Sequence, residues 1–185
     1  GTIPVHKGKW YWEVQYLGTN THNIGIVRAD MIGNNDKFYN GSTSGNGSEN
    51  TLNYNASNSY KTIVTTNNAD TGSTLASGLI GDDGGATPAH IVGCYLDMDN
   101  GKMTWSWDGT LVYSGVSVSI SDWATGDWTR FGALPSMRAD ATLEAKWNFG
   151  NGYFGTTVVT SAVADAGGIG AFEFDPTATI DSVSQ

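Results

Sequence analysis

The sequence predicts an all-β protein, an antiparallel two-sheet β-sandwich with long polar loops. Short stretches alternate apolar and polar residues with a period of two, and Asn-Gly and Asp-Gly pairs stand where such stretches meet. No stretch of helical period and useful length interrupts them. Charged residues make up only 15% of the 185 positions, while 25 glycines and many Asn, Ser and Thr fill the gaps, a composition that favours strands joined by polar turns. That length suits one well-cored domain and is short for two.

The first strand is "GKWYWEVQYL", with Trp10, Trp12, Val14 and Tyr16 on one face and Tyr11, Glu13 and Gln15 on the other. "NIGIVRA" continues as a second. From residue 31 to 89 the chain is polar and loop-rich, with strands at "TLNYN" and "YKTIVTT" and a second loop, "NADTGSTLASGLIGDDGGATPA". Residues 91 to 98 then alternate, as do 102 to 108. The Asn100-Gly101 pair between them suits a two-residue type I′ turn. That turn would set Asp99 against Lys102, Met98 against Met103, Leu96 against Trp105 and Cys94 against Trp107. Tyr95 by Ser106 and Asp97 by Thr104 would lie on a polar outer face. Asp108-Gly109 marks a further turn, which makes the stretch a three-strand meander with one buried face. "TLEAKWNFG" sets Leu143, Ala145, Trp147 and Phe149 on one side against Glu144, Lys146 and Asn148. Faces of this kind are buried by stacking two antiparallel sheets. The domain is placed at residues 1–155, and residues 156–185 are an extension with an added strand and a tail.

A formal net charge of -9, with few and scattered Lys and Arg, excludes a nucleic-acid partner. No apolar run has the length to span a bilayer, and "GTIPVHKGKW" lacks the charged start and apolar middle of a signal peptide. The abrupt start is what a segment cut from a longer polypeptide would show. Cys94, the lone cysteine, sits within an apolar strand as a small buried hydrophobe. There is no Gly-x-Ser-x-Gly elbow, His-Glu-x-x-His or phosphate loop, and His6, His22 and His90 are read as loop residues. A glycosidase would need Glu-x-Asp-x-x-Glu along one strand. Glu173 and Asp175 supply its first two positions but Ala178 stands at the third, and Glu13 and Glu144 lie on separate strands. No catalytic residue, cofactor or metal site is assigned. Asp97 and Asp99, flanking a tight turn, are the pair where a calcium ion would sit weakly with help from a neighbouring loop, and Asp82-Asp83 is a second such pair. For ligand binding the aromatics outside the alternating strands matter most: Tyr39, Tyr54 and Tyr60 in the long loop, and Trp123 in "SISDWATGDWTRF". Their rings would stack on a sugar or a peptide side chain. Trp128 is read instead as a cap on the open edge of the core.

In their order, "GKWYWEV", "NIGIV", "IVGCYLDMDNGKMTWSWDG" and "WNFGNGYF" resemble a SPRY domain, a concanavalin A-like jelly-roll sandwich, over roughly residues 7 to 154. The closing "NFGNGYFGTT... GIGAFEFD" is similar to the stretch that succeeds this domain in bacteriophage and viral structural proteins. The resemblance implies a non-enzymatic binding or structural module. It would be a tail-fibre or capsid domain on a virion surface or otherwise extracellular, recognising glycan or protein on a host surface through its loops, or packing against neighbouring virion subunits. The alternative is a glycan-processing enzyme or carbohydrate-binding accessory domain of concanavalin-like fold. No individual binding residue is implied by the family.

Overall fold

The computed structural model describes residues 3–17, 22–31, 51–56, 61–66, 73–76, 90–111, 118–119, 128–139 and 144–177. It is all-β and antiparallel, as expected, with one turn of α-helix and one of 3-10 helix among the described residues. The chain divides into two compact units, one built on a five-stranded sheet and the other on a six-stranded sheet with a two-stranded hairpin.

One unit holds β2 (His22–Arg28), β3 (Thr51–Ala56), β4 (Lys61–Thr66), β5 (Ser73–Ala76) and β10 (Ala133–Ala139), in the order β10-β2-β3-β4-β5. Ile24, Ile26, Val27, Ala133 and Leu134 are buried, as is Trp128 at the head of the single-turn helix α1 (Trp128–Phe131). Pro135 fits β10 because β10 is an edge strand, where the missing N–H costs no ladder bond. The polar stretch from 31 to 89 therefore supplies three strands of this sheet. The two expected at "TLNYN" and "YKTIVTT" are β3 and β4, and β5 falls inside what the sequence marks as loop.

The other unit holds β1 (Lys9–Leu17), β6 (His90–Asp97), β7 (Lys102–Trp107), β8 (Thr110–Leu111), β9 (Val118–Ser119) and β11 (Glu144–Asn148). Their order is β11-β1-β6-β7-β8, with β9 also pairing β7. The meander β6-β7-β8 forms, but its register departs from expectation. Cys94 faces Trp105, Leu96 faces Met103 and Asp97 faces Lys102, so the connection is a four-residue loop, Met98 to Gly101. The slip is two residues, which keeps every side chain on its expected face. Asp97 causes it: one carboxylate oxygen accepts the N–H groups of Asp99 and Asn100 at 2.9 Å, the other accepts the Asn100 amide at 2.8 Å, and Gly101 closes the loop at φ +63°. The type I′ turn lies instead at Asp108-Gly109, both at positive φ, between the paired residues Trp107 and Thr110.

A second departure concerns the outer face. Trp12, Val14, Val92, Cys94, Leu96, Met103 and Trp105 are buried on one side, as the alternation predicts. Glu13, Tyr95, Asp97, Thr104 and Ser106 on the opposite side are buried too, so the expected polar, wet face is absent here. Residues 150–177 cover it. This segment carries the hairpin β12 (Tyr153–Phe154) and β13 (Thr157–Val158), then returns through backbone bridges from Ala171 to Asn151 and from Phe172 to Val163. Phe172 sets its ring edge-on to Tyr11 at 4.8 Å, Phe174 lies against Gly109, and Phe154, Val159 and Ile91 form a small apolar cluster with Phe174.

Glu13 anchors the segment. Its carboxylate has no exposed surface and accepts four hydrogen bonds: from the Phe174 N–H at 2.8 Å, the Glu173 N–H at 3.0 Å, the Asn148 amide at 2.9 Å and the Tyr11 hydroxyl at 3.1 Å. Asn148 also donates to Ala171 O at 2.9 Å, and Tyr95 donates to Asp175 O at 2.9 Å. Burial pushes the Glu13 carboxyl above its ordinary range against the opposing pull of these donors, and burial likewise raises the Tyr11 and Tyr95 hydroxyls.

Two consequences are measurable. A Cβ at Gly93 would meet the Tyr11 hydroxyl at 2.7 Å and crowd Ser106, so Gly93→Ala should cost about 1–3 kcal/mol in urea unfolding; a change inside about 0.5 kcal/mol would show that the face is loosely packed. A carboxyl raised in the folded state binds its proton more tightly there than in the unfolded chain. Its contribution is therefore full below the ordinary glutamate range and is lost as pH rises through the raised value. Wild-type stability relative to Glu13→Gln should accordingly fall as pH climbs through that window, and a pH-independent difference between the two proteins would contradict the burial of the charge.

Candidate interaction surface

The side chains singled out from sequence fall in different places. Tyr39, Tyr60, Trp123 and the Asp82-Asp83 pair lie outside the described residues. Tyr54 lies on β3, in register with Ile24 on β2 and Ile63 on β4, so it belongs to the sheet and not to a loop. Asp97 and Asp99 do not share a site: Asp97 is buried and holds its own loop, while Asp99 is exposed and accepts the Gly8 N–H at 2.9 Å. Each carboxylate thus has a chain partner of its own.

Of the residues considered for glycoside chemistry, Glu13 pairs with Asn148 and Glu144 with Leu17, four residues apart along adjacent strands. Glu173 accepts the Thr160 N–H at 2.6 Å, and Asp175 accepts the N–H and hydroxyl of Thr177 at 2.8 and 2.6 Å, each closing local backbone. Cys94 is fully buried, and burial pushes its thiol well above the ordinary range, which keeps it an un-ionised apolar side chain.

His90 is not a loop residue. It opens β6, lies stacked on Trp107 with centroids 4.7 Å apart, and its Nδ1 sits 2.6 Å from Asp108 Oδ2. A carboxylate orienting an imidazole is two thirds of a nucleophilic triad, yet here the pair serves the turn. The other Asp108 oxygen accepts the Ile91 N–H at 2.8 Å, and the Asp108 N–H donates to Ile91 O at 2.9 Å. These bonds hold Asp108 at φ +45°, a conformation aspartate tolerates better than most residues.

The aromatic surface that the structure does present is one the alternation pattern assigns to the core. Trp10 is 47% exposed, although its neighbours Trp12 and Val14 on the same face are buried. Trp147, opposite Val14 on the edge strand β11, shares that face, and its ring stacks on Phe149 with centroids 5.6 Å apart and planes 8° apart. Phe149 is 54% exposed and Tyr153, on β12, is 45% exposed. The exposure follows from position: Trp10 lies one residue inside the start of β1, and Phe149 lies just past the end of an edge strand, where the period-2 rule no longer guarantees a covering strand. In the other unit, Phe131 carries two guanidinium groups near its ring, Arg130 at 4.9 Å and Arg28 at 5.6 Å. Arg28 is itself held by Asp30 at 2.6 and 2.8 Å.

The family model of the SPRY domain matches residues 9–122, more than half of the chain. No curated protein matches it in sequence. Among solved structures, the crystal structure of the SPRY domain of human HERC1 is similar, at 12% identity with a TM-score of 0.45, covering 77% of this chain and 73% of that one. SPRY domains are β-sandwiches that typically serve as protein-interaction modules and are generally non-enzymatic. The matched span runs from β1 to β9 and includes the β6-β7-β8 meander, and the chain belongs to the SPRY family.

Proposed function

We propose that this chain is a non-enzymatic module that binds a protein partner through the exposed aromatic edge of its six-stranded sheet. The observation that carries this is the presence of three large rings, each about half exposed: Trp10 on β1, Phe149 just past β11 with Trp147 stacked on it, and Tyr153 on the hairpin strand β12 that follows. Large rings held in water forgo burial worth roughly 1.5–3 kcal/mol each, and Trp and Tyr dominate the energetic centres of protein interfaces. Family membership supports the same reading, since SPRY domains mediate protein–protein interactions. Tyr39, Tyr60 and Trp123 are the loop side of the same proposal, and Tyr54 joins it from β3.

Glycan recognition is the second reading, favoured by the near-parallel Trp147 and Phe149 rings, because the C–H face of a sugar stacks on flat aromatic surfaces. A virion-surface or extracellular setting is supported only by the likeness of the C-terminal stretch to phage and viral structural proteins, and the host-surface ligand belongs with it.

Panning a displayed library of peptides and protein fragments on the immobilised chain tests both. Enriched binders should lose about thirty-fold in affinity on Trp10→Ala/Phe149→Ala and less on Tyr54→Ala. A glycan array run in parallel should be blank. Binders indifferent to the aromatic pair would remove the edge from the proposal, and array signals lost in the same double variant would replace protein by glycan as the ligand class.

A further inference from the structure

The segment over the outer face is held in the way a protein holds a peptide ligand. Its backbone, more than its side chains, is what the sheet recognises. Two consecutive N–H groups, of Glu173 and Phe174, are read by one carboxylate, Glu13. The carbonyls of Ala171 and Asp175 are read by Asn148 and Tyr95, and the Ala171 N–H by Gly150 O at 3.0 Å. Phe172 rests on Tyr11 and Phe174 over Gly109, and a bend at Glu173 and Phe174 turns both of their N–H groups toward Glu13. A Cβ at Gly109 would come within 2.6 Å of the Phe174 ring, so this glycine makes the room the second ring occupies. Main-chain bonds for affinity with seats for particular side chains are the two parts of peptide recognition.

The segment is also organised without the sheet. Val163 and Phe172 exchange both backbone hydrogen bonds, at 2.8 and 2.9 Å, and Glu173 reaches back to the Thr160 N–H. Between them the Asp165 carboxylate accepts the Ile169 N–H at 3.0 Å, the Asp165 carbonyl accepts the Gly168 N–H at 2.9 Å, and such backbone bonds hold the Asp165 carboxyl below its ordinary range. The tip is wet, with Ile169 88% exposed. Leaving the sheet would return Glu13 and the two tyrosine hydroxyls to water, which hydrates them without strain, whereas opening an apolar core offers no such return.

We propose that the face formed by Tyr11, Glu13, Tyr95 and Asn148 is a peptide-docking surface, and that its occupant, the segment Thr160–Thr177 of this same chain, is exchangeable: it leaves and returns as a unit while the sheet stays folded. This proposal does not depend on the partner proposed for the exposed rings.

Hydrogen exchange on the whole chain tests the opening. The amides of Glu173 and Phe174 should exchange about a hundred-fold or more faster than those of Leu96 and Trp105 in the middle of the sheet; equal protection, meaning release only by global unfolding, overturns the proposal. The surface itself is tested with a labelled synthetic peptide of residues 160–177. It should bind full-length Phe172→Ala/Phe174→Ala about ten-fold or more tightly than wild type, whose own segment competes, and adding Glu13→Ala should abolish binding. Failure of the peptide to bind a double variant that keeps the wild-type tryptophan fluorescence also overturns it, and if that variant does not fold, the exchange rates decide alone.

Discussion

A carboxylate without exposed surface has to be surrounded by donors, and Glu13 draws its four from three separate parts of the chain: Tyr11 two residues away, Asn148 on the neighbouring edge strand, and the backbone of Glu173 and Phe174 some 160 residues further on. Replacing water around a buried charge costs several kcal/mol unless such bonds are complete. The charge therefore does what an apolar residue at the same place could not. It fixes one position of the terminal segment relative to the sheet, because only one placement of two consecutive N–H groups satisfies both oxygens. Tyr11, Tyr95, Gly93 and Ser106 are then packed between the strands and that segment, with Gly93 leaving the space that lets Tyr11 and Ser106 lie flat across the sheet.

The result is a sheet with two buried faces and different chemistries on each. One is apolar, with tryptophan, methionine, leucine and cysteine at successive positions. The other is polar and hydrogen-bonded, sealed by Phe172 and Phe174. β6 lies between β1 and β7, and every residue from Ile91 to Asp97 is buried, as in a strand covered on both sides. The aromatic groups left half in water are Trp10 near the start of β1, Phe149 just past the end of β11 and Tyr153 on β12.

Much of the fold is legible in the residues. Period-2 alternation places β1, β2, β6, β7 and β11, and the chain order of "GKWYWEV", "NIGIV" and the DxDNG hairpin is enough to suggest the family. The candidate surface is less legible. Alternation assigns Trp10 and Phe149 to the core because it says which face a side chain takes and not whether anything lies over it. Register slips for a related reason: Asn-Gly is a strong signal for a type I′ turn, but Asp97 competes by capping the loop with its side chain, and Asp-Gly eight residues later takes the I′ conformation.

The sequence by itself determined the local periodicities, hence the strands, their faces and the all-β class, because these depend on neighbours one to four residues apart. Only the tertiary structure decided that Glu13 and Tyr95 are dry, since the groups that cover or satisfy them come in part from residues 148 to 175. No pattern within a strand encodes a partner more than a hundred residues away. A glutamate on an alternating strand reads as solvated until the backbone that bonds it is in place.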